Sequence, residues 1–276
     1  MELSRFQFIW CMEYAHRMWG RLIGVSFALP AAYFYSKGYF TKPMLKRVGV
    51  LGGLIGFQGL LGWFMVRSGL EDKPGVPRVS HFRLSAHLSS AAVIYSLFAW
   101  NSFTHLVQHT AVAPFEGAKL LKILGHSTKA VMFTTLIWGA FVAGLDAGLV
   151  YNSWPKFADR WIPSDLVVPT FGGMVGNLLQ NPTGVQFTHR LLAYTTCALS
   201  TTIWLLTLRM GVARTGPEIR RAAHFIFATT VAQTVIGISA LLHYVPISLA
   251  ALHQNTSILL LTSLLWFTHC LKYVPK

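Results

Sequence analysis

Long runs of apolar residues alternate with short polar stretches along the whole chain. A helix needs about 20 mostly apolar residues to cross the hydrocarbon core of a bilayer. Seven runs reach this length, at residues 14–36, 46–66, 84–107, 127–150, 187–209, 220–243 and 249–270. Strict alternation of apolar and polar residues, the pattern of a β-strand, is absent. In lipid the backbone N–H and C=O groups must form hydrogen bonds within the protein, as they do in an α-helix. The pattern therefore predicts an all-α polytopic membrane protein with about seven transmembrane helices.

The charged residues between these runs predict their orientation. Residues 37–47, 108–122 and 209–221 carry an excess of Lys and Arg with at most one acidic side chain each, whereas residues 67–83 and 151–186 each set two acidic side chains against the basic ones. Basic loops stay on the cytoplasmic or matrix side of a membrane, so the first set is predicted to face that side and the second set the outer side.

The composition agrees with a membrane protein and excludes other classes. The chain of 276 residues is 53% hydrophobic and 12% charged, and its mean hydropathy is +0.49. Soluble domains usually contain about 25% charged residues. The net charge of +14 comes from loops between apolar runs, so no nucleic-acid partner is expected. The three cysteines form no CxxC motif or disulfide framework.

Three motifs of the first half recur in the same order in the second half. The pairs are HRMWGRLIG (16–24) with HRLLAYTTC (189–197), QGLLGWFMV (58–66) with QTVIGISAL (233–241), and RLSAHLSSA (83–91) with LAALHQNTS (249–257). Because each copy enters the membrane from the same side, the sequence predicts a parallel internal repeat that forms two pseudosymmetric helical bundles.

The run at 127–150 precedes the second copy and has no counterpart before the first. The repeat therefore predicts that one more helix belongs before residue 14, which would also move the N-terminus to the matrix side. The predicted divisions are an N-terminal half-bundle at 1–110, a connecting loop at 111–126 and a C-terminal four-helix bundle at 127–276.

Four of the eleven histidines belong to the repeat: His16, His87, His189 and His253. Each lies near the start of a helix that begins on the predicted outer side, so all four share a similar depth. Two imidazoles from two helices in each half suit the axial ligation of a heme iron, whereas zinc would require four gathered ligands. Any one of them alone could instead be a hydrogen-bonded packing residue, although ionisable groups in spans are functional candidates.

Arg17 and Arg190 directly follow two of these histidines. An Arg guanidinium binds carboxylates well, so both are candidates to bind porphyrin propionates. The alternative is that they extend toward lipid headgroups.

The two halves differ three residues before the His-Arg pair, where Glu13 corresponds to Gln186. A three-residue step keeps Glu13 on the helix face of His16. A carboxylate can take a proton or stabilise a cation, whereas an amide does neither well. The first half is therefore predicted to be catalytic and the second to hold an electron-transfer cofactor. The alternative is a solvated Glu13, or one paired with Arg17.

Several long motifs resemble one known family. EYAHRMWGRLIG, FQGLLGWFMVRSGL, RLSAHLSSA, GAFVAGLDAGLVYNSWPKF, NPTGVQFTHR and LAALHQ together resemble the mitochondrial type of heme A synthase. The resemblance runs from near residue 5 to the C-terminus. It implies eight helices in two bundles and oxidation of the C8 methyl of heme O to a formyl group by successive hydroxylations. Water is the implied oxygen source, and heme A for cytochrome c oxidase is the product.

The resemblance also implies roles for individual residues and partners. His189 and His253 would bind heme b as cofactor, His16 and His87 would hold heme O as substrate, and Glu13 would be catalytic. A multi-pass protein of the mitochondrial inner membrane is implied, with heme O from a heme O synthase, a ferredoxin-type redox partner, surrounding lipid and a homo-oligomeric state. The family's first helix and presequence are not seen here. A chain acting without that helix is expected to bind heme b but to convert heme O poorly.

Two other interpretations remain open at this point. A di-heme b-type membrane cytochrome would use the same histidine pairs to carry electrons only. A transporter built from parallel repeats would bind no pigment. Asp146 and Asn152, in the motif GLDAGLVYNSWP, either shape the following loop or contact substrate.

Overall fold

The computed structural model describes residues 2–70, 78–107 and 112–275. These residues form eight helices and, within those ranges, no strand. The helices are α1 (Leu3–Ser36), α2 (Lys42–Arg67), α3 (His81–Leu106), α4 (Ala118–Gly144), α5 (Met174–Gln180), α6 (Pro182–Met210), α7 (Val212–Leu242) and α8 (Ile247–Lys272). The predicted all-α polytopic fold is confirmed.

Each of the seven predicted runs corresponds to one long helix, and α5 is a short extra element. Three helices of the described part of the chain, α2, α6 and α7, are by length and composition apolar enough to cross a membrane. Residues 71–77, which carry part of the predicted outer-side charge, and residues 108–111 lie outside the described ranges.

The predicted bounds of the fourth span were wrong at both ends. Helix α4 begins at Ala118, within the predicted connecting loop, and ends at Gly144 instead of residue 150. The apolar run continues past Gly144, but Asp146 adopts a left-handed conformation with φ of 50°. Asp tolerates a left-handed backbone conformation better than most residues do. This conformation interrupts the α-helical hydrogen bonding at Asp146. A 3-10 turn, Ala147–Leu149, follows.

The described structure divides into two compact units, residues 1–68 and 69–276. In the first unit α1 packs against α2, and the ring of Phe27 lies against Gly52. Helix α2 is capped by Thr41, whose hydroxyl accepts a hydrogen bond from the backbone N–H of Met44. This cap satisfies one backbone donor at the helix start and defines where α2 begins.

The second unit contains α3 to α8 around a common apolar core. Helix α4 packs against α3, α6 and α8, while α7 packs against α6 and α8. Fully buried side chains include Leu121, Ile203, Ile226, Leu264 and Phe267. Helix α3 thus belongs to the unit of the C-terminal helices by packing, while the functional division predicted near residue 110 stays a prediction.

Candidate functional site

His189 on α6 and His253 on α8 approach each other inside the second unit. Their ring centroids are 6.5 Å apart and the ring planes are inclined by 75°. Each histidine lies in the second turn of its helix. The structure therefore brings together one of the two histidine pairs that the repeat predicts.

The orientation of His189 is set by helix α4. Its Nδ1 lies 3.1 Å from the backbone carbonyl oxygen of Thr135. Because a carbonyl oxygen only accepts hydrogen bonds, Nδ1 carries the proton and Nε2 keeps a free lone pair. One turn further along α4, a Cβ atom at Gly139 would lie 3.3 Å from Cε1 of the imidazole. The ring thus lies directly on the surface of α4.

The orientation of His253 is set in a similar way by helix α7. Its Nε2 lies 3.2 Å from the side-chain amide nitrogen of Gln233, so this nitrogen accepts and Nδ1 carries the proton. The imidazole is within reach of the backbone carbonyl of Gln233, although Nδ1 makes no hydrogen bond of standard geometry with the described residues. A Cβ atom at Gly237 would lie 2.6 Å from Cε1 of His253.

This pair suits the axial ligation of one iron atom. A metal–imidazole nitrogen bond is about 2 Å long. Two imidazoles on opposite sides of one iron therefore have ring centres roughly 6 Å apart, close to the observed 6.5 Å. Both rings are held with one proton each, the form that binds a metal. Among the described residues, no three His, Cys, Asp or Glu side chains group into a metal site.

Arg190 and Gln186 lie on α6 beside His189 and are buried, with 8% and 3% of their surface exposed. Arg190 donates hydrogen bonds of 3.1 Å to the side-chain oxygen of Gln186 and to the backbone carbonyl of Tyr151. Its guanidinium lies 4.0 Å from the ring centroid of Phe157. One donor, Nε, is buried without a partner among the described residues. The predicted propionate contact stays a prediction, with Nε as the donor still available.

The side-chain amide nitrogen of Gln186 binds the chain between α4 and α6. Its side-chain nitrogen donates to the carbonyls of Ala147 and Tyr151 at 2.8 and 3.2 Å. We call residues 145–181, between these two helices, the α4–α6 connection. Gln186 and Arg190 together hold the first part of this connection against the start of α6.

A carboxylate network holds the rest of the α4–α6 connection. Asp165 accepts hydrogen bonds from the hydroxyls of Tyr151 and Thr183 at 2.6 and 2.7 Å. Burial by itself raises the pKa of Asp165, but these two hydrogen bonds and one to its own backbone N–H together outweigh it, and the pKa lies below its usual value. The hydrogen bond to Asp165 is also the main reason that the pKa of Tyr151 is raised.

Asp146 and Asn152 make contacts that shape the α4–α6 connection. Asn152 donates to the carbonyls of Gly148 and Leu241 at 2.9 and 2.8 Å. Asp146 pairs with Arg78. These contacts agree with the loop-shaping interpretation of both residues.

Three candidate residues of the first half, Glu13, His16 and Arg17, lie on α1. Arg17 and Glu13 form an ion pair of 2.9 Å, with 55% and 61% of their side-chain surfaces exposed. The structure therefore contains the pairing with Arg17 that the sequence left as an alternative for Glu13. His16 is on the same helix, whereas His87 is on α3 in the other unit. The pairing of His16 with His87 stays a prediction.

Comparison with known proteins identifies the family. The model of the family COX15-CtaA, cytochrome oxidase assembly protein, matches residues 1–265. The chain belongs to this family. It is 47% identical over 279 residues to heme A synthase COX15 of Bos taurus. It is 36% identical to heme A synthase COX15 of Saccharomyces cerevisiae and 38% identical to heme A synthase of Rhodospirillum centenum. The resemblance read from the motifs is confirmed.

The chain covers only part of these relatives. The match with the bovine protein covers 100% of this chain but only 66% of the bovine sequence. It spans 61% of the yeast protein and 70% of the bacterial one.

The surroundings of the His189–His253 pair leave little signal in the sequence. Gln233 and Gly237 belong to a recurring motif, but the motif does not predict their contact with His253. Thr135 and Gly139 lie outside the recurring motifs. The backbone partners of Arg190 have no sequence signature at all.

Proposed function

We propose that this protein is a heme A synthase that oxidises the C8 methyl group of heme O to a formyl group. Membership of the COX15-CtaA family supports this proposal. The observation that carries it is the pair His189–His253, whose separation and protonation suit one heme iron. Conversion of a methyl group and one water to a formyl group releases four electrons and four protons. The reaction therefore needs an electron acceptor and groups that remove protons.

The second half would hold the electron-accepting cofactor, heme b. When bound, a b-type heme takes up and passes on single electrons. The chain's own contribution is to hold both axial imidazoles in one protonation state and to cover the site with the α4–α6 connection through Arg190 and Gln186.

The first half would hold heme O as substrate between His16 and His87. Glu13 would accept protons from the reacting methyl carbon or stabilise positive charge that develops there. This role is supported by the acid at Glu13 where the second copy has Gln186, and by the exposure of the Glu13 side chain, 61% of its surface. Arg17 would also be close enough in sequence to bind a propionate of the same heme.

The remaining parts of the proposal concern location and partners. We propose that the protein lies in the mitochondrial inner membrane, receives heme O from a heme O synthase and has a ferredoxin-type redox partner. A homo-oligomer is expected.

Extraction of the pigments from the purified full-length protein, followed by chromatography, tests this function. Heme b together with heme O and heme A is the expected result. Heme b alone would favour the electron-carrying cytochrome instead, and a colourless preparation would favour a transporter. The variant His253→Ala is the control, since its content of heme b, and with it of heme A, should fall while heme O remains.

A further inference from the structure

Each histidine of the pair lies against a glycine. Four residues before that glycine, on the same helix, is the residue whose backbone carbonyl the imidazole approaches. The first set is Thr135 and Gly139 on α4, and the second is Gln233 and Gly237 on α7. In an α-helix the carbonyl of one residue bonds the N–H of the residue four positions later. Carbonyl and glycine are therefore direct neighbours on the helix surface.

This arrangement gives an imidazole access to a backbone carbonyl that is already in use. A carbonyl oxygen has two lone pairs, and the helix occupies one of them. A side chain four residues later would cover the second, but glycine has no Cβ atom and leaves it open. His189 occupies this position with a hydrogen bond of 3.1 Å.

The two contacts differ in how much space they leave. A Cβ atom at Gly237 would lie 2.6 Å from Cε1 and 3.0 Å from Nδ1 of His253, so the imidazole would have to move. A Cβ atom at Gly139 would lie 3.3 Å from Cε1 and 3.9 Å from Nδ1 of His189. The clash at Gly139 is mild, and a small displacement of the His189 ring would relieve it.

We propose that Gly139 and Gly237, with the carbonyls of Thr135 and Gln233, form two imidazole notches that position the axial histidines of heme b. This inference rests on the proposed heme site. At His189 the notch fixes the ring orientation and keeps the proton on Nδ1, which leaves Nε2 as the nitrogen that would bind the iron. At His253 it fixes the ring orientation through the contact with Gly237. Partners of this kind change metal affinity by about 10- to 100-fold when they are removed.

The test compares Gly237→Ala, Gly139→Ala and Gly125→Ala in the full-length protein. Gly125 is a matched control on α4, because a Cβ atom there would lie 2.9 Å from Thr268 and 3.2 Å from Phe267 but touch no histidine of the pair. Heme b affinity is measured by titration with iron protoporphyrin IX, and the spin state of the ferric heme by electron paramagnetic resonance. Gly237→Ala should bind about 10-fold more weakly and show high-spin iron. Gly139→Ala should keep bound heme with a shifted low-spin signal.

Gly125→Ala should match the wild type in both measurements, even if its melting temperature falls. If Gly139→Ala and Gly237→Ala both match the wild type, or Gly125→Ala shifts the spectrum as much, the notch is overturned while the heme site stands. Absence of heme b binding by the wild type would instead overturn the proposed function, and the notch with it.

Discussion

The pairs Glu13–Arg17 and Gln186–Arg190 have the same spacing in the two copies of the repeat but different surroundings. The first is an exposed ion pair on α1. In the second, the amide and guanidinium are buried and bound to backbone carbonyls of the α4–α6 connection. Residues at the same spacing thus fix the α4–α6 connection in the second copy, whereas in the first copy they leave a carboxylate exposed.

The contacts of Gln186 explain why an acid does not stand there. Its side-chain nitrogen donates to two carbonyl oxygens, those of Ala147 and Tyr151. A carboxylate has no hydrogen to donate and would place negative oxygen against both carbonyls in a buried position, which is strongly unfavourable. The difference between Glu13 and Gln186 therefore agrees with what each side chain contacts.

The largest effect is expected from removing an axial ligand of the second copy. His189→Ala or His253→Ala should abolish stoichiometric heme b binding, because one imidazole cannot replace a pair that holds the iron from both sides. Heme content per protein after purification measures this. His243→Ala is the control, since its imidazole bonds only the backbone carbonyl of Ser239. Full heme b content in either ligand variant would separate this pair from the cofactor.

Exchange of the acid in the first copy should affect activity more than stability. Glu13→Gln is expected to lower the yield of heme A about 100-fold, in the range for losing a general acid or base. Its exposed ion pair contributes only about 0–1 kcal/mol, so the melting temperature should change little. Heme A and heme O are quantified in cells that depend on the variant. Unchanged heme A yield would remove Glu13 from the mechanism.

The reciprocal exchange in the second copy should affect stability first. Gln186→Glu is expected to destabilise the fold by about 2 kcal/mol, because two buried carbonyls lose their donor and a charge is buried. Thermal unfolding in detergent measures this, with Glu13→Gln as the matched control. Equal melting temperatures for the two exchanges would refute the assigned difference in surroundings.

The smallest effect concerns Asp165, which has no counterpart in the first copy's described residues. Its hydrogen bonds favour the carboxylate, so its folded pKa lies below the ordinary value. Their contribution is complete above the unfolded pKa and is lost as the pH falls through the folded one. Thr183→Val should destabilise by about 1 kcal/mol near neutral pH. Proteolysis of the α4–α6 connection between pH 7 and about pH 3 should show this difference shrinking; a constant difference would contradict it.

The repeat and the helices could be read from the sequence because both depend on local patterns. Apolar runs of bilayer length predicted all seven long helices, and the recurrence of His-Arg and of a later His selected His189 and His253. The end of α4 could not be predicted in this way, since its apolar run continues beyond Asp146.

The sequence alone determined which residues are available for the site: two histidines per half, an acid in one half and an amide in the other. What each of them contacts depends on how the helices pack. Thr135, Gly139 and the carbonyl partners of Arg190 act through backbone atoms or through a missing side chain. Backbone atoms are the same at nearly every position, so their roles depend on how helices pack and leave no pattern in the chain.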